Sequence, residues 1–244
     1  NDRSSGPKDG MEKSYAEIVR LLGKMGRTSE GFVFKGSRGY LPDGETPVES
    51  EAARDLVKKA MAMPEGELLY VVAIGAITNV ASAILMEPEI VKKICVVWLG
   101  GHPLSASTAR EFNLMQDVPA ARVVLDCGVP FTLVPCMGVA SHLLATVPDM
   151  KDAIGGKNAL CDALVELFGE YSSDHFGWAK EIWDVSTIAY LVNPDWIPTV
   201  LEHSPLLTDD CHWAHDANRH FIRVATFARR TPIFRDLYRK LAGA

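Results

Sequence analysis

The sequence predicts an α/β protein: a mostly parallel open sheet flanked by helices, with the C-terminal half the more helical. Apolar runs of strand length alternate in the first half with amphipathic runs of helix length, the pattern of parallel strands joined by crossover helices. The runs Leu68–Ile74, Ile94–Leu99 and Phe131–Val134 are apolar almost without alternation. Both faces of such strands are covered, as in the middle of a parallel sheet. No repeat, linker or low-complexity stretch divides the 244 residues, so a single domain spanning 1–244 is expected.

The elements follow in order. Glu12–Met25 reads as a helix, Gly31–Lys35 as a strand, and Gly36 to Pro47 as a loop rich in glycine and proline. Val48–Met61 places Val48, Ala52, Leu56, Val57 and Ala60 on one helical side and charges on the other. The three apolar strands come next, separated by helices near Asn79–Met86 and Pro119–Cys127. Helices over Asn158–Tyr171, Asp184–Val192 and Pro232–Leu241 and strands at Thr199–Glu202 and His220–Thr226 complete the chain.

Composition excludes several classes. A chain 48% hydrophobic and 23% charged is globular, neither a disordered tail nor a disulfide-stapled miniprotein. A formal charge of -6 argues against nucleic acid as partner. The arginines of the last segment, from Arg219 to Arg239, have Asp216 and Asp236 among them and read as a solvated face. Five cysteines, with no CxxC pair, fit reduced thiols in a cytoplasm. No apolar run approaches the roughly 20 residues of a membrane helix, and Asn1–Gly10 lacks a signal-peptide core, so no membrane partner is expected.

Ligands of open α/β sheets bind outside the carboxyl ends of the strands. Here those ends read Ile74-Gly75-Ala76-Ile77-Thr78-Asn79, Leu99-Gly100-Gly101-His102 and Pro135-Cys136-Met137-Gly138. In the first, Thr78 or Asn79 is placed to cap the amides of the following helix. After the irregular loop Leu104–Ala109 comes Arg110-Glu111-Phe112-Asn113. Extended backbone would point Glu111 and Asn113 to one side and Phe112 into the core. An acceptor and an amide so paired suit sugar hydroxyls, and they equally suit a loop anchor bonded to local backbone. Asp184 stands where an N-cap would. The segment Thr208–Asp216, with His212, His215 and Asp216, is rich in metal-capable groups but matches no zinc signature closely.

Together these residues resemble the nucleoside hydrolase family, the inosine-uridine preferring N-ribohydrolases, from about Lys13 to Asn193. The resemblance is carried by Ala73-Ile74-Gly75-Ala76-Ile77-Thr78-Asn79, by Leu99-Gly100-Gly101, by Glu111-Phe112-Asn113 and by Gly128-Val129-Pro130. It implies a Rossmann-like core and hydrolysis of the N-glycosidic bond of a ribonucleoside or related ribosyl compound by metal-activated water. It further implies that Glu111 and Asn113 hold ribose hydroxyls, that the Ile74 carbonyl and Asp184 are ligands of a calcium ion, and that Asn1 contacts ribose. The partner it implies is a small ribonucleoside, and homo-oligomers are common in the family.

Three departures shape the expectation. The family's aspartate cluster, D-x-D-x-x-x-D-D after its first strand, has no counterpart between Asn1 and Lys13. The chain therefore reads as N-terminally incomplete, with its catalytic base upstream of Asn1 and residues 1–244 inactive by themselves. Trp183 replaces the histidine that many members carry before the late aspartate; an indole stacks on a base but cannot protonate it. Ser105 replaces an asparagine of the loop before Glu111. Two further readings stay beside the enzyme: a non-catalytic ribosyl-binding remnant of the same fold, and a zinc hydrolase built on His212, His215 and Asp216.

Overall fold

The structure, a computed structural model, describes residues 4–243. Nine helices and nine strands are found among them: α1 Pro7–Lys24, α2 Glu51–Met61, β1 Leu69–Ala73, α3 Thr78–Met86, β2 Ile94–Leu99, α4 Phe112–Gln116, α5 Val118–Asp126, β3 Phe131–Val134, β4 Leu144–Ala145, α6 Val147–Ile154, α7 Ala159–Gly169, β5 Lys180–Glu181, α8 Val185–Val192, β6 Thr199–His203, β7 Leu206–Leu207, β8 Trp213–Ala214, β9 Phe221–Ala225 and α9 Arg230–Ala242. Five strands form the main sheet in the order β1-β2-β3-β9-β6, and two-stranded ribbons β4-β5 and β7-β8 lie apart from it. β1, β2, β3 and β9 run parallel, and β6 closes one edge antiparallel to β9.

The uninterrupted apolar strands do what their composition requires. Every residue of β3 is buried, and in β2 only Cys95 is partly open. Val96, Trp98 and Leu133 point into a core with the helices α2, α3 and α5; Val97, Leu99 and Val134 point to the other face, into a core with α6, α7, α8 and α9. β1 differs because it is the sheet's other edge. Tyr70 is 56% exposed, and Leu68 and Ile74 beside the strand are also open. Ile188, Leu191 and Val192 of the adjoining α8 are exposed too, so an apolar strip follows the edge.

Several expectations need correction. Gly31–Lys35 forms no strand: Phe32 is exposed and the segment pairs with no other chain stretch in a ladder. A short apolar run makes a strand only where a neighbour offers hydrogen bonds. α1 starts at Pro7, whose fixed φ suits a first helical turn, and not at Glu12. The second half is not the more helical: α1–α5 lie almost wholly in the first half, and the second divides its length among α6–α9 and the strands β3–β9. α6, with Thr146 accepting from the Asp149 amide as its cap, adds a helix to those expected.

The first strand end is also held otherwise than expected. Neither Thr78 nor Asn79 caps α3, whose N-cap position, Ile77, makes no side-chain bond. The Thr78 hydroxyl donates to Asp117, which also accepts from the Leu41 amide at 3.0 Å. Asn79 Oδ1 accepts from the Ser37 amide and hydroxyl, both at 2.9 Å, and from the Ser50 hydroxyl at 3.0 Å. These side chains tie the turn after β1 to loops far away in sequence.

Candidate functional site

One large cavity, about 1320 Å³, opens at the carboxyl ends of β1 and β2. Ile74 and Gly75 after β1, Leu99 and His102 at the end of β2, the Arg110–Asn113 segment, Cys136 after β3, and the Lys180–Val185 stretch all contribute to its wall. Glu111, Asn113, Trp183, Asp184 and Ile74, which the resemblance marks, therefore share one cavity. Asn1 lies outside the described residues.

Glu111 is buried, and both its oxygens are engaged. Oε2 accepts the Gly101 amide at 2.9 Å and the Leu114 amide at 3.2 Å, while Oε1 accepts the Asn113 amide at 2.9 Å. It is the N-cap of α4, so the segment bends into a helix directly after it. The extended geometry expected for Glu111–Asn113 thus ends at Glu111. Phe112 is 42% exposed on the cavity wall, and Leu114 takes the core place expected for it. Asn113 Nδ2 donates to the Leu99 carbonyl at 2.9 Å, which leaves its Oδ1 as the side chain's acceptor. Anchor and cavity wall are here the same residues.

Gly100 and Gly101 make the approach possible. A Cβ on Gly100 would meet the Trp98 indole at 2.5 Å, and Gly101 has φ +67° with Trp213 2.9 Å from a built Cβ. Trp98 Nε1 donates to the Gly75 carbonyl at 2.8 Å, which links the two strand ends. The Cys136 amide donates to the Gly101 carbonyl at 2.9 Å and adds the third.

Asp184 sits at the N-cap position of α8 without capping it: its side chain bonds no helix amide. Its backbone is fixed instead by Thr187, buried, whose hydroxyl donates to the Asp184 carbonyl at 2.8 Å, and Ser186 does the same for Trp183 at 2.7 Å. The Asp184 carboxyl is left free to face the cavity. It opens onto the cavity's solvent, yet the surrounding protein and the Glu111 charge raise its pKa to about 6, against the opposing pull of Lys180. The Cys136 thiol is pushed up to about 12 by burial and by Glu111, Glu181 and Asp184, so it is a neutral thiol. Trp183 is half-buried, packed against the α6–α9 core, with one side on the cavity.

Among the described residues no group of three or more His, Cys, Asp or Glu is arranged to hold a metal ion. That removes the zinc reading. Asp209 pairs with Arg122 at 2.6 Å, and Asp210 is taken by the Thr208 hydroxyl and by His212 Nδ1 at 3.2 Å in an exposed turn.

The profile of the inosine-uridine preferring nucleoside hydrolases matches residues 8–231, a span that takes in every wall segment of the cavity from α1 to α8. The chain belongs to that family. It is 29% identical over 166 residues to the inosine-uridine preferring nucleoside hydrolase of Leishmania major, covering 65% of this chain and 52% of that protein. Probable uridine nucleosidase 2 of Arabidopsis thaliana is 30% identical over 144 residues, 57% of this chain and 44% of the relative. The chain thus spans about half the length of these relatives. A Bacillus anthracis inosine-uridine preferring nucleoside hydrolase superposes with a TM-score of 0.67 at 17% identity, covering 95% of this chain and 73% of its own. An inosine-guanosine nucleoside hydrolase gives 0.74 at 17% identity over 93% and 85%. These two likenesses establish the fold as nucleoside hydrolase-like.

Sequence reasoning missed His102 and Lys180 as parts of the wall. His102 stood in the strand-end segment already singled out, so its signal was present. Lys180 had none, because it reaches the cavity through the pairing of β5 with β4, at Ala145.

Proposed function

We propose that this protein hydrolyses the N-glycosidic bond of a ribonucleoside to ribose and free base. The ribose sits against Asn113 beside Glu111, and the base against Trp183. One observation carries this reading: separate segments of a nucleoside hydrolase family member bring Ile74, Glu111, Asn113, Trp183 and Asp184 to one cavity at the strand ends. Asn113 Oδ1 accepts from a ribose hydroxyl while its Nδ2 remains bound to Leu99. Glu111, spent on three amides, sets the shape of the sugar end and supplies negative charge as the anomeric carbon becomes positive. Trp183 offers an apolar face to the base.

Calcium is the ion the resemblance implies, and Asp184 with the Ile74 carbonyl are the groups that would hold it. Calcium takes about six to eight oxygen ligands, and among the described residues no three His, Cys, Asp or Glu side chains are grouped to hold a metal ion. No step is therefore routed through the ion. Among the described residues no carboxylate is assigned as the base that deprotonates water. The non-catalytic ribosyl-binding reading is favoured by this same shortage of carboxylates and keeps every binding role above.

Homo-oligomer formation is the natural use of the apolar strip along β1 and α8. The five unpaired thiols support a reducing, cytoplasmic location. Among the described residues no helix is long and apolar enough to cross a membrane. The test is to incubate residues 1–244 with uridine and with inosine, with and without calcium, following free base by chromatography and binding by calorimetry. Binding without release favours the non-catalytic ribosyl-binding reading. Calcium-dependent release of free base supports hydrolysis, and failure to bind either nucleoside would sink the cavity assignment.

A further inference from the structure

Trp183 can stack on a base, but an indole does nothing for the negative charge that a base carries away when its bond to the sugar breaks. Among the described residues three side chains able to carry positive charge line the cavity: His102, Arg110 and Lys180. Two of them belong to the sugar side. His102 follows Gly101, whose amide donates to Glu111, and Arg110 immediately precedes Glu111. Lys180 belongs instead to the wall stretch that carries Trp183 and Asp184.

The ribbon β4-β5 fixes Lys180 in register. It pairs with Ala145 of β4, and two residues on the Ile182 amide donates to the Leu143 carbonyl at 2.9 Å, immediately before Trp183. The ammonium lies over the Tyr171 ring, 4.4 Å from its centroid, where the aromatic face attracts a cation without using any of its N–H groups. Tyr171 is itself on the cavity wall. Among the described residues the Lys180 ammonium has no hydrogen-bond or ion-pair partner, yet it is not one of the unpartnered atoms shut away from solvent, which are His102 Nδ1, His220 Nε2 and the Tyr238 hydroxyl. A half-buried ammonium with every donor unspent and its nitrogen still accessible is therefore available to a ligand in the cavity. Its charge also reaches Asp184, whose pKa it pulls down against burial and Glu111.

We propose that Lys180 binds the polar edge of the nucleobase: its ammonium donates to a carbonyl oxygen or ring nitrogen of a base lying against Trp183, and holds the charge that the base acquires as the glycosidic bond breaks. The electron pair of that bond passes to the base nitrogen, the water oxygen bonds to the anomeric carbon, and the base takes a proton from solvent as the water gives one up. Lys180 keeps its own proton throughout. The substrate class is then a ribonucleoside whose base presents an acceptor on this edge. The proposal rests on the reading of Trp183 as the base side and of Asn113 as the ribose side.

The test is calorimetry on residues 1–244 in a mildly alkaline buffer, with three ribosides of the same sugar. A phenyl C-riboside has no acceptor on its ring, uridine has neutral carbonyl acceptors, and 6-azauridine has a ring that is anionic under these conditions. Uridine binds about tenfold more tightly than the phenyl C-riboside, and 6-azauridine more tightly again. Lys180→Met keeps the length of the side chain and loses the charge; it removes both gains and leaves the phenyl C-riboside unchanged, while Lys180→Arg retains them in part. Lys180→Leu takes its place if the methionine variant fails to fold by circular dichroism. Equal binding of uridine and the phenyl C-riboside, gains that persist in the uncharged variant, or an equal loss for all the ribosides overturns the role of Lys180 and leaves the ribose site standing. Binding of none of them by the wild type overturns the ribose site, and the base contact with it.

Discussion

Glu111 Oε2 accepts the Gly101 amide at 2.9 Å, and through that bond the loop leading into α4 is fastened to the end of β2. The same carboxylate bonds the Asn113 and Leu114 amides, so one buried side chain fixes both the sugar-facing asparagine and the strand end. Glu111→Ala leaves three amides without their acceptor and is expected to cost about 3 kcal/mol of stability. Glu111→Gln keeps one acceptor oxygen and costs about half as much. Urea unfolding of the two variants checks the order; equal losses would mean that the hydrogen bonds do not carry the anchor.

Asp184 carries a pH signature. Its folded pKa is raised from 3.8 to about 6, so the folded state holds this proton more tightly than the unfolded one. Below the unfolded value both states are protonated and nothing is lost. As pH rises through this window the unfolded carboxyl ionises first, stability falls, and the loss levels off above the folded value. Solvent in the cavity screens the charge, so the full effect is discounted to roughly 1 kcal/mol. Asp184→Asn should therefore melt with wild type near about pH 3.5 and above it near about pH 8. A melting difference that is the same at both would remove the burial of charge as its cause.

Asn113→Ala is predicted to lower uridine affinity about tenfold, since it removes the Oδ1 acceptor, while the lost bond to Leu99 costs only about 1 kcal/mol of stability. Calorimetry and denaturant melts on the same sample separate the two. A stability loss with unchanged affinity would make Asn113 an anchor only.

Gly100→Ala tests the packing that brings the strand ends together. The added methyl must displace the Trp98 ring, which is fully buried and bonded to Gly75, so a loss of about 2 kcal/mol is expected. A shift in indole fluorescence should accompany it; a variant as stable as wild type would show that the ring has room to move.

The apolar edge predicts self-association. Tyr70→Lys on β1 and Ile188→Lys on α8 should raise the monomer fraction in sedimentation, because a charge on an open edge opposes strand and face pairing. No change in either variant would overturn the edge as a surface for self-association.

The sequence by itself determined the parallel core. Ile94–Leu99 and Phe131–Val134 are too apolar and too short to be anything but central strands, and the structure gives them those bounds. It also marked the strand ends as the place for ligands, because that follows from parallel topology alone. The family was legible for the same reason: its blocks are local, and each can be read within a few residues.

Contacts distant in sequence were decided by tertiary structure. Gly31–Lys35 had the composition of a strand and found no partner, whereas Lys180 had no signal and was carried to the cavity by β4. Asn79 and Thr78 looked like caps for the helix they begin, but the nearest unpaired donors and acceptors were Ser37, Ser50 and Asp117, brought in by other loops. Whether Glu111 was an anchor or a sugar contact could not be read from spacing, since backbone amides satisfy a carboxylate as well as hydroxyls do. Local sequence sets periodicity and turn chemistry; which polar group meets which, and what space is left between α1, α7 and α9, is settled only when the whole chain packs and every buried donor must find an acceptor.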